Sequence, residues 1–199
     1  MFQILTVCTG NICRSPLAEL LLHTRLADLD PTVSSAGTRS LAAAPMTPEA
    51  QRLAAQLGVA DKDIPTHRSR YLTEGHLATP DLILTMTRDH RRHVAELAPT
   101  RLRSTFTVRE FARLAEGLSD DAVRETVASV ADSDADASTR LRAAVSAVAA
   151  RRGMVQPPAS PDDDDVIDPY RRSWATYELS AQQMAPGLTE VERIVRAAC

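Results

Sequence analysis

The stretch Val7-Cys8-Thr9-Gly10-Asn11-Ile12-Cys13-Arg14-Ser15-Pro16 decides how the rest of this chain is read. Upstream of it, Phe2 to Val7 is a short, mostly apolar run, the pattern of a buried parallel strand. Downstream, Pro16 suits the first turn of a helix. Leu17, Leu20 and Leu21 then carry one apolar face to about Leu29, where Asp30-Pro31 stops it. The stretch is therefore a strand-to-helix turn, and it holds two of the chain's three cysteines.

The same alternation continues. Thr32 to Ala36 reads as a second strand ending at Gly37, and Thr47-Pro48-Glu49 opens a helix, Glu49 to Leu57, that Gly58 ends. Asp81 to Met86 is a third strand, Arg88 to Leu97 a basic helix, and Leu102 to Val108 a fourth strand. Strands alternating with helices imply an α/β fold: a three-layer, Rossmann-like sandwich with a four-stranded parallel sheet and helices on both faces. Beyond it, Arg109 to Arg152 is almost wholly helix-forming, with an acidic middle (Asp132, Asp134, Asp136) separating two or three helices. Gly153 to Asp165 is a loop ending in four aspartates. Ser173 to Cys199 is a final helix, with a break expected at Pro186-Gly187. We read residues 1–199 as one domain, with about 109–165 as a helical insertion and acidic loop within it.

Bulk composition narrows the function classes. With 199 residues, 44% hydrophobic and 25% charged, the chain can bury a proper core. A net charge of -3 argues against a nucleic-acid binder. No apolar run approaches the ~20 residues that span a bilayer, and the start lacks the features of a signal peptide. Three cysteines, an odd number, speak for a reducing cytoplasm rather than a disulfide framework.

In an open parallel sheet, ligands bind at the carboxyl ends of the strands. At Thr9, Gly10, Asn11 and Ile12, successive backbone N–H groups can curl around one centre, and the following helix adds its positive end. The Gly-Lys-Ser/Thr ending of a nucleotide-binding loop is missing. Instead a cysteine stands at the mouth and an arginine closes it, as Cys-x5-Arg. Backbone dipoles, helix end and guanidinium all favour a thiolate at Cys8. Arg14 can hold two phosphate oxygens through its planar fork. The three equatorial oxygens of a transferring phosphoryl group would sit in this ring, with Cys8 placed for in-line attack to give a phosphocysteine. Ser15 can donate to the thiolate, and Asn11 tolerates φ > 0 and can hold the loop's shape. No metal and no cofactor is called for, since Arg14 and the backbone supply the positive field.

These ten residues resemble, match for match and at the same N-terminal position, the signature of the bacterial low-molecular-weight protein tyrosine phosphatases. The resemblance continues through Ser34-Ser35-Ala36-Gly37-Thr38, His67-Arg68-Ser69-Arg70 and Asp81 to Met86, and returns at Asp168-Pro169-Tyr170. It covers roughly residues 1–108 and 165–199. It implies a phosphate-binding loop from Thr9 through Gly10, Asn11, Ile12, Cys13 and Arg14 to Ser15, and a supporting network of Asn11, Ser15, Ser35 and His67. It implies Asp168 as the general acid, which protonates the leaving oxygen and later activates water. It also implies that Cys13 can form a disulfide with Cys8 and spare it from irreversible oxidation. On residue type alone, His67 would be a surface histidine and Cys13 simple packing. Cys199 has no evident partner.

Two departures bear on substrate. Leu41 stands where many members carry an aromatic cleft wall, and Tyr170 is followed by Arg171 and Arg172 rather than a second aromatic residue. With Leu41 and Tyr170 as the walls, the expected substrate is a phosphotyrosine protein or a small phosphomonoester; weaker stacking on the ring and the added charge also leave an acidic peptide open. His90-Arg91-Arg92-His93 reads as a solvated basic helix face, since no cluster of further ligands completes a metal site. Two other functions use parts of the same pattern. An arsenate reductase shares the fold and the anion nest, but no mid-chain cysteine is present to relay oxidation. A phosphate-binding module could dock a partner, or form a homodimer, through the insertion.

Overall fold

β1 (Gln3–Cys8) pairs in parallel with β2 (Thr32–Gly37) on one side and β3 (Leu82–Thr85) on the other, and β4 (Thr105–Thr107) completes the order β2-β1-β3-β4. The computed structural model describes residues 1–40, 43–130, 132 and 134–199. The order of connection reverses between β1 and β3, so the carboxyl end of β1, at Cys8, lies at the switch point of the sheet.

Alternation along the strands feeds two cores. Ile4, Leu82, Leu84 and Phe106 face one side, and Leu5, Val7, Ala36 and Ile83 face the other. The first side is covered by α1 (Arg14–Arg25), α2 (Pro48–Gln56) and α8 (Trp174–Ala198), and the second by α3 (Glu74–Leu77) and α4 (Arg88–Leu97). Burial on both faces is why the strands read as continuous apolar runs.

The segment after β4 forms three helices, α5 (Val108–Ala115), α6 (Asp120–Val130) and α7 (Ala137–Ala150). α5 starts with a capping box between Thr107 and Glu110, and Asp136 caps α7. Their buried side chains, among them Phe111, Val123, Val127, Leu141 and Val145, join the same apolar cluster as α1 and α8. Asp81 fastens α7 to the sheet: buried beside β3, it accepts from Gln3 N (2.8 Å), Ser138 Oγ (2.7 Å) and Arg142 Nε (2.5 Å).

Two elements differ from the sequence reading. β4 begins at Thr105 rather than Leu102, because Pro99–Ser104 winds into a 3-10 turn, where Ser104 and Thr105 hydroxyls donate to Arg101 O. The final helix is continuous through Pro186-Gly187. Pro186 and Gln182 are exposed, so the carbonyl that loses its helical donor faces water. Gly187 lets α8 press against the start of α5: a Cβ there would fall 2.2 Å from Val108 O. Gly187→Ala is therefore expected to lower stability by about 1–3 kcal/mol through overpacking, although alanine ordinarily gains about 1 kcal/mol over glycine in a helix. Urea unfolding reads the difference, and a stabilised variant would contradict this packing.

Candidate active site

Cys8 ends β1, and the loop after it folds back over its sulfur. Asn11 N donates to Cys8 Sγ at 3.3 Å, and Ser15 Oγ lies 3.0 Å from the same sulfur. The turn needs a left-handed residue at its apex, and Asn11 supplies it with φ 55°. Gly37 lets β2 press against the loop: a Cβ there would sit 2.6 Å from Thr9 O. Thr38 N and Arg39 N then donate to Cys8 O and Thr9 O, both at 2.9 Å.

Behind the loop a buried hydrogen-bond chain sets the direction of each hydroxyl. Asn11 Nδ2 donates to Ser35 Oγ (2.7 Å) and Ser15 Oγ (3.0 Å), while Arg70 N donates to Asn11 Oδ1 (2.9 Å). Ser35 Oγ donates to Glu19 Oε2 at 2.5 Å. With Ser15 Oγ already accepting from Asn11, its own hydrogen is free to point at Cys8 Sγ. His67 Nε2 donates to Asn11 O at 2.8 Å, and its Nδ1 lies 3.6 Å from Glu19 Oε2. Asn11, Ser15, Ser35 and His67 are thus one cluster. Glu19, not singled out from the sequence, is its outer member. Its signal was a carboxylate one helical turn after Ser15 on the half-buried face of α1.

Arg14 crosses the site as a buried bridge. Its Nη1 donates to Val166 O (3.0 Å), its Nη2 pairs with Asp168 Oδ2 (2.7 Å), and its Nε is buried with no partner among the described residues. Asp168 is about half exposed and also accepts from Tyr170 N at 3.1 Å. The pocket over Cys8 encloses about 200 Å³ and is lined by Gly10, Ile12, Arg14, Arg39, Asp168 and Tyr170 among others. Tyr170 is exposed at its mouth, with the Arg171 guanidinium 5.1 Å from the ring centre. Leu41 lies outside the described residues. Arg39, unremarked in the sequence reading, brings a second cation to this pocket and to a polar groove of about 700 Å³ that adjoins it along α4.

Cys13 is buried and lines the pocket over Cys8. Its sulfur lies 3.5 Å from Thr47 Oγ1 and 3.7 Å from Tyr177 OH, and burial pushes the thiol up to about 11. All three cysteines are free thiols.

His90 corrects the reading of a solvated basic face. It is buried, with Nε2 2.8 Å from Thr9 Oγ1 and Nδ1 2.9 Å from Thr87 Oγ1, so it pins α4 to the loop after β1. Burial foremost, then the charges of Arg14 and His93, push its imidazole down to about 3. A histidine neutral in the fold but protonated when unfolded costs stability as pH falls below its unfolded value of ~6.5. Stability is therefore expected to drop by up to about 1.4 kcal/mol per pH unit between pH 6 and 4. The drop should be much shallower in His90→Gln. Urea midpoints across that range test it, and parallel slopes for the two proteins would refute it.

The acidic run is exposed at Asp162 and Asp163, yet it makes specific pairs. Asp162 and Asp164 pair with Arg88 (2.6 Å) and Arg113 (2.8 Å), and Asp165 accepts from Arg88 N at 2.7 Å.

Residues 3–122 match the model of the low molecular weight phosphotyrosine protein phosphatase family. The chain belongs to that family. It is an enzyme of this phosphatase type, and a phosphocysteine intermediate is general to the family. Among curated proteins it is similar to a probable low molecular weight protein-tyrosine-phosphatase of Ralstonia solanacearum, 39% identical over 107 residues, which are 54% of this chain and 70% of the relative. It is also similar to a protein-arginine-phosphatase of Geobacillus stearothermophilus, 32% identical over 117 residues, which are 58% and 75% of the two chains. Among solved structures, the phosphatase of T. tengcongensis superposes with a TM-score of 0.64 at 25% identity, covering 96% of this chain and 97% of the other. These neighbours share the four-stranded α/β architecture. The arsenate reductase and docking-module readings give way to the phosphatase. Asp168 lies beyond the residues that the family model matches. Among the described residues, no helix of this phosphatase is long and apolar enough to cross a membrane.

Proposed function

We propose that this phosphatase hydrolyses phosphotyrosine in protein substrates, with Cys8 as nucleophile, Arg14 as the phosphate clamp and Asp168 as general acid and base. The observation that carries the reading is Cys8 Sγ under two donors, Ser15 Oγ at 3.0 Å and Asn11 N at 3.3 Å, in the pocket that Arg14 and Asp168 also line. A bound phosphoryl group takes Arg14 Nε and Nη2 and the loop N–H groups from Thr9 to Ser15, Nη1 stays on Val166 O, and Asp168 is released towards the bridging oxygen. The thiolate attacks phosphorus, the bond from phosphorus to the tyrosine oxygen breaks, and Asp168 gives that oxygen its proton. Asp168, now a carboxylate, takes a proton from water as it attacks the phosphocysteine. The phosphorus–sulfur bond breaks, and Cys8 leaves again as thiolate.

Phosphotyrosine is favoured over phosphoarginine by the walls. Ile12 and Tyr170 offer apolar and aromatic surface to a ring, whereas Arg39 would repel the cationic guanidinium of phosphoarginine. The thiol of Cys13 is held in reserve as the disulfide partner of Cys8 in an oxidising challenge. The apolar faces of α6 and α7 are used up within the main core, which favours a structural role for this segment over partner docking. A panel of one peptide carrying phosphotyrosine, phosphoarginine or phosphoserine tests the assignment. kcat/KM is expected to favour phosphotyrosine by about 10²-fold, and equal or greater turnover of phosphoarginine would reverse it.

A further inference from the structure

Asp168 hangs at the end of a strap whose preceding residues are held from four elements. Asp165 Oδ1 accepts from Arg88 N, the first amide of α4, at 2.7 Å. Arg109, from α5, donates to Asp165 O at 3.0 Å. The next residue, Val166, is buried, and both of its backbone groups are taken: its N donates to Met86 O (2.8 Å) beyond β3, and its O accepts from Arg14 Nη1 (3.0 Å). Ile167 N donates to Gln183 Oε1 on α8 at 2.8 Å. After this point the restraint ends, because Asp168 itself is half exposed and touches only Arg14 and the Tyr170 amide among the contacts described. The reach of its carboxyl over Cys8 is therefore set upstream, by where Val166 docks, and Val166 follows directly from Asp165.

We propose that Asp165 is a positioning residue for proton delivery: its bond to the Arg88 amide fixes the register of the strap and thereby the place of the Asp168 carboxyl. The proposal rests on the reading of Asp168 as general acid. A displacement of about 1 Å in a catalytic group can cost on the order of 10²-fold in rate. The cost falls only on substrates whose leaving group needs a proton.

The test is kcat/KM, which reports the steps up to phosphorylation of Cys8, for phenyl phosphate and for 2,4-dinitrophenyl phosphate, whose phenolate leaves unaided. Asp165→Ala is expected to lose about 10- to 100-fold on phenyl phosphate and to stay within about threefold of wild type on the dinitrophenyl ester. Asp165→Asn keeps an acceptor oxygen for the Arg88 amide and should remain close to wild type on both. Arg88→Pro removes the donor from the other side. Proline is tolerated at the first position of a helix, so this variant should reproduce the Asp165→Ala signature and serves if Asp165→Ala does not fold. Equal losses on both esters, no loss on either, or Asp165→Asn falling as far as Asp165→Ala would overturn the proposal. Asp168→Asn run in the same series separates the two levels. If it shows no dependence on the leaving group, the general-acid reading itself fails; if it does and Asp165→Ala does not, only the positioning role fails.

Discussion

Cys8→Ser is expected to abolish turnover, with kcat falling by at least about 10⁴-fold on any phosphomonoester. The loop is built around a soft, ionisable atom at the end of β1, with Ser15 Oγ and Asn11 N directed at it. A serine hydroxyl in that place keeps its proton, because no histidine among the described residues bonds to it, and Asp168 pairs with Arg14: His90 bonds to Thr9 and Thr87, and His67 bonds to Asn11 O on the far side of the loop. The anion nest survives the change, so inorganic phosphate should still bind Cys8→Ser with an affinity near that of the wild type. Calorimetry with phosphate beside a steady-state assay checks both halves. Residual activity within tenfold of wild type would place the nucleophile elsewhere.

Arg14→Lys is expected to cost about 10³-fold in kcat, although it keeps the charge. The guanidinium is used at two points and leaves a third for substrate: Nη1 holds Val166 O, Nη2 holds Asp168, and Nε is buried with no partner among the described residues. A lysine ammonium can reach one of these, and it cannot present two parallel N–H bonds to a phosphoryl group. Leaving Val166 O without its donor also loosens the strap that carries Asp168. The loss should therefore be larger for phenyl phosphate than for 2,4-dinitrophenyl phosphate. Steady-state kinetics on the two esters reads it, and a uniform loss below tenfold would mean that charge alone suffices at this position.

How far the sequence showed all this depends on the range of the interactions. The turn from Val7 to Pro16 was legible because strand, loop and helix start are contiguous, and the cysteine and arginine that matter lie within it. The alternation of apolar runs gave the sheet, since strands buried on both faces need no long-range information to be seen. His90 was misread because its partner Thr9 is 81 residues away, and nothing in His-Arg-Arg-His reports that one member turns inward. The ion pairs of Asp162 and Asp164 were hidden for the same reason, as Arg88 and Arg113 reach them across 74 and 51 residues. At Pro186-Gly187 a local break signal lost to tertiary packing, since Gly187 was needed for contact with Val108 rather than for a turn. Glu19 was visible in principle, one turn along α1 from Ser15, but a half-buried carboxylate acquires meaning only once Ser35 and His67 are brought beside it.

The central claim is that the sulfur of Cys8 accepts a phosphoryl group and then releases it to water. Rapid acid quench of the enzyme during turnover of phenyl phosphate, followed by proteolysis and fragmentation mass spectrometry, tests this directly, with Asp168→Asn used to slow breakdown of the intermediate. The account predicts a phosphoryl group on Cys8, absent from Cys13 and absent in Cys8→Ser. A phosphoryl group found on any other residue, or product formed with none on Cys8 at any time sampled, would contradict it.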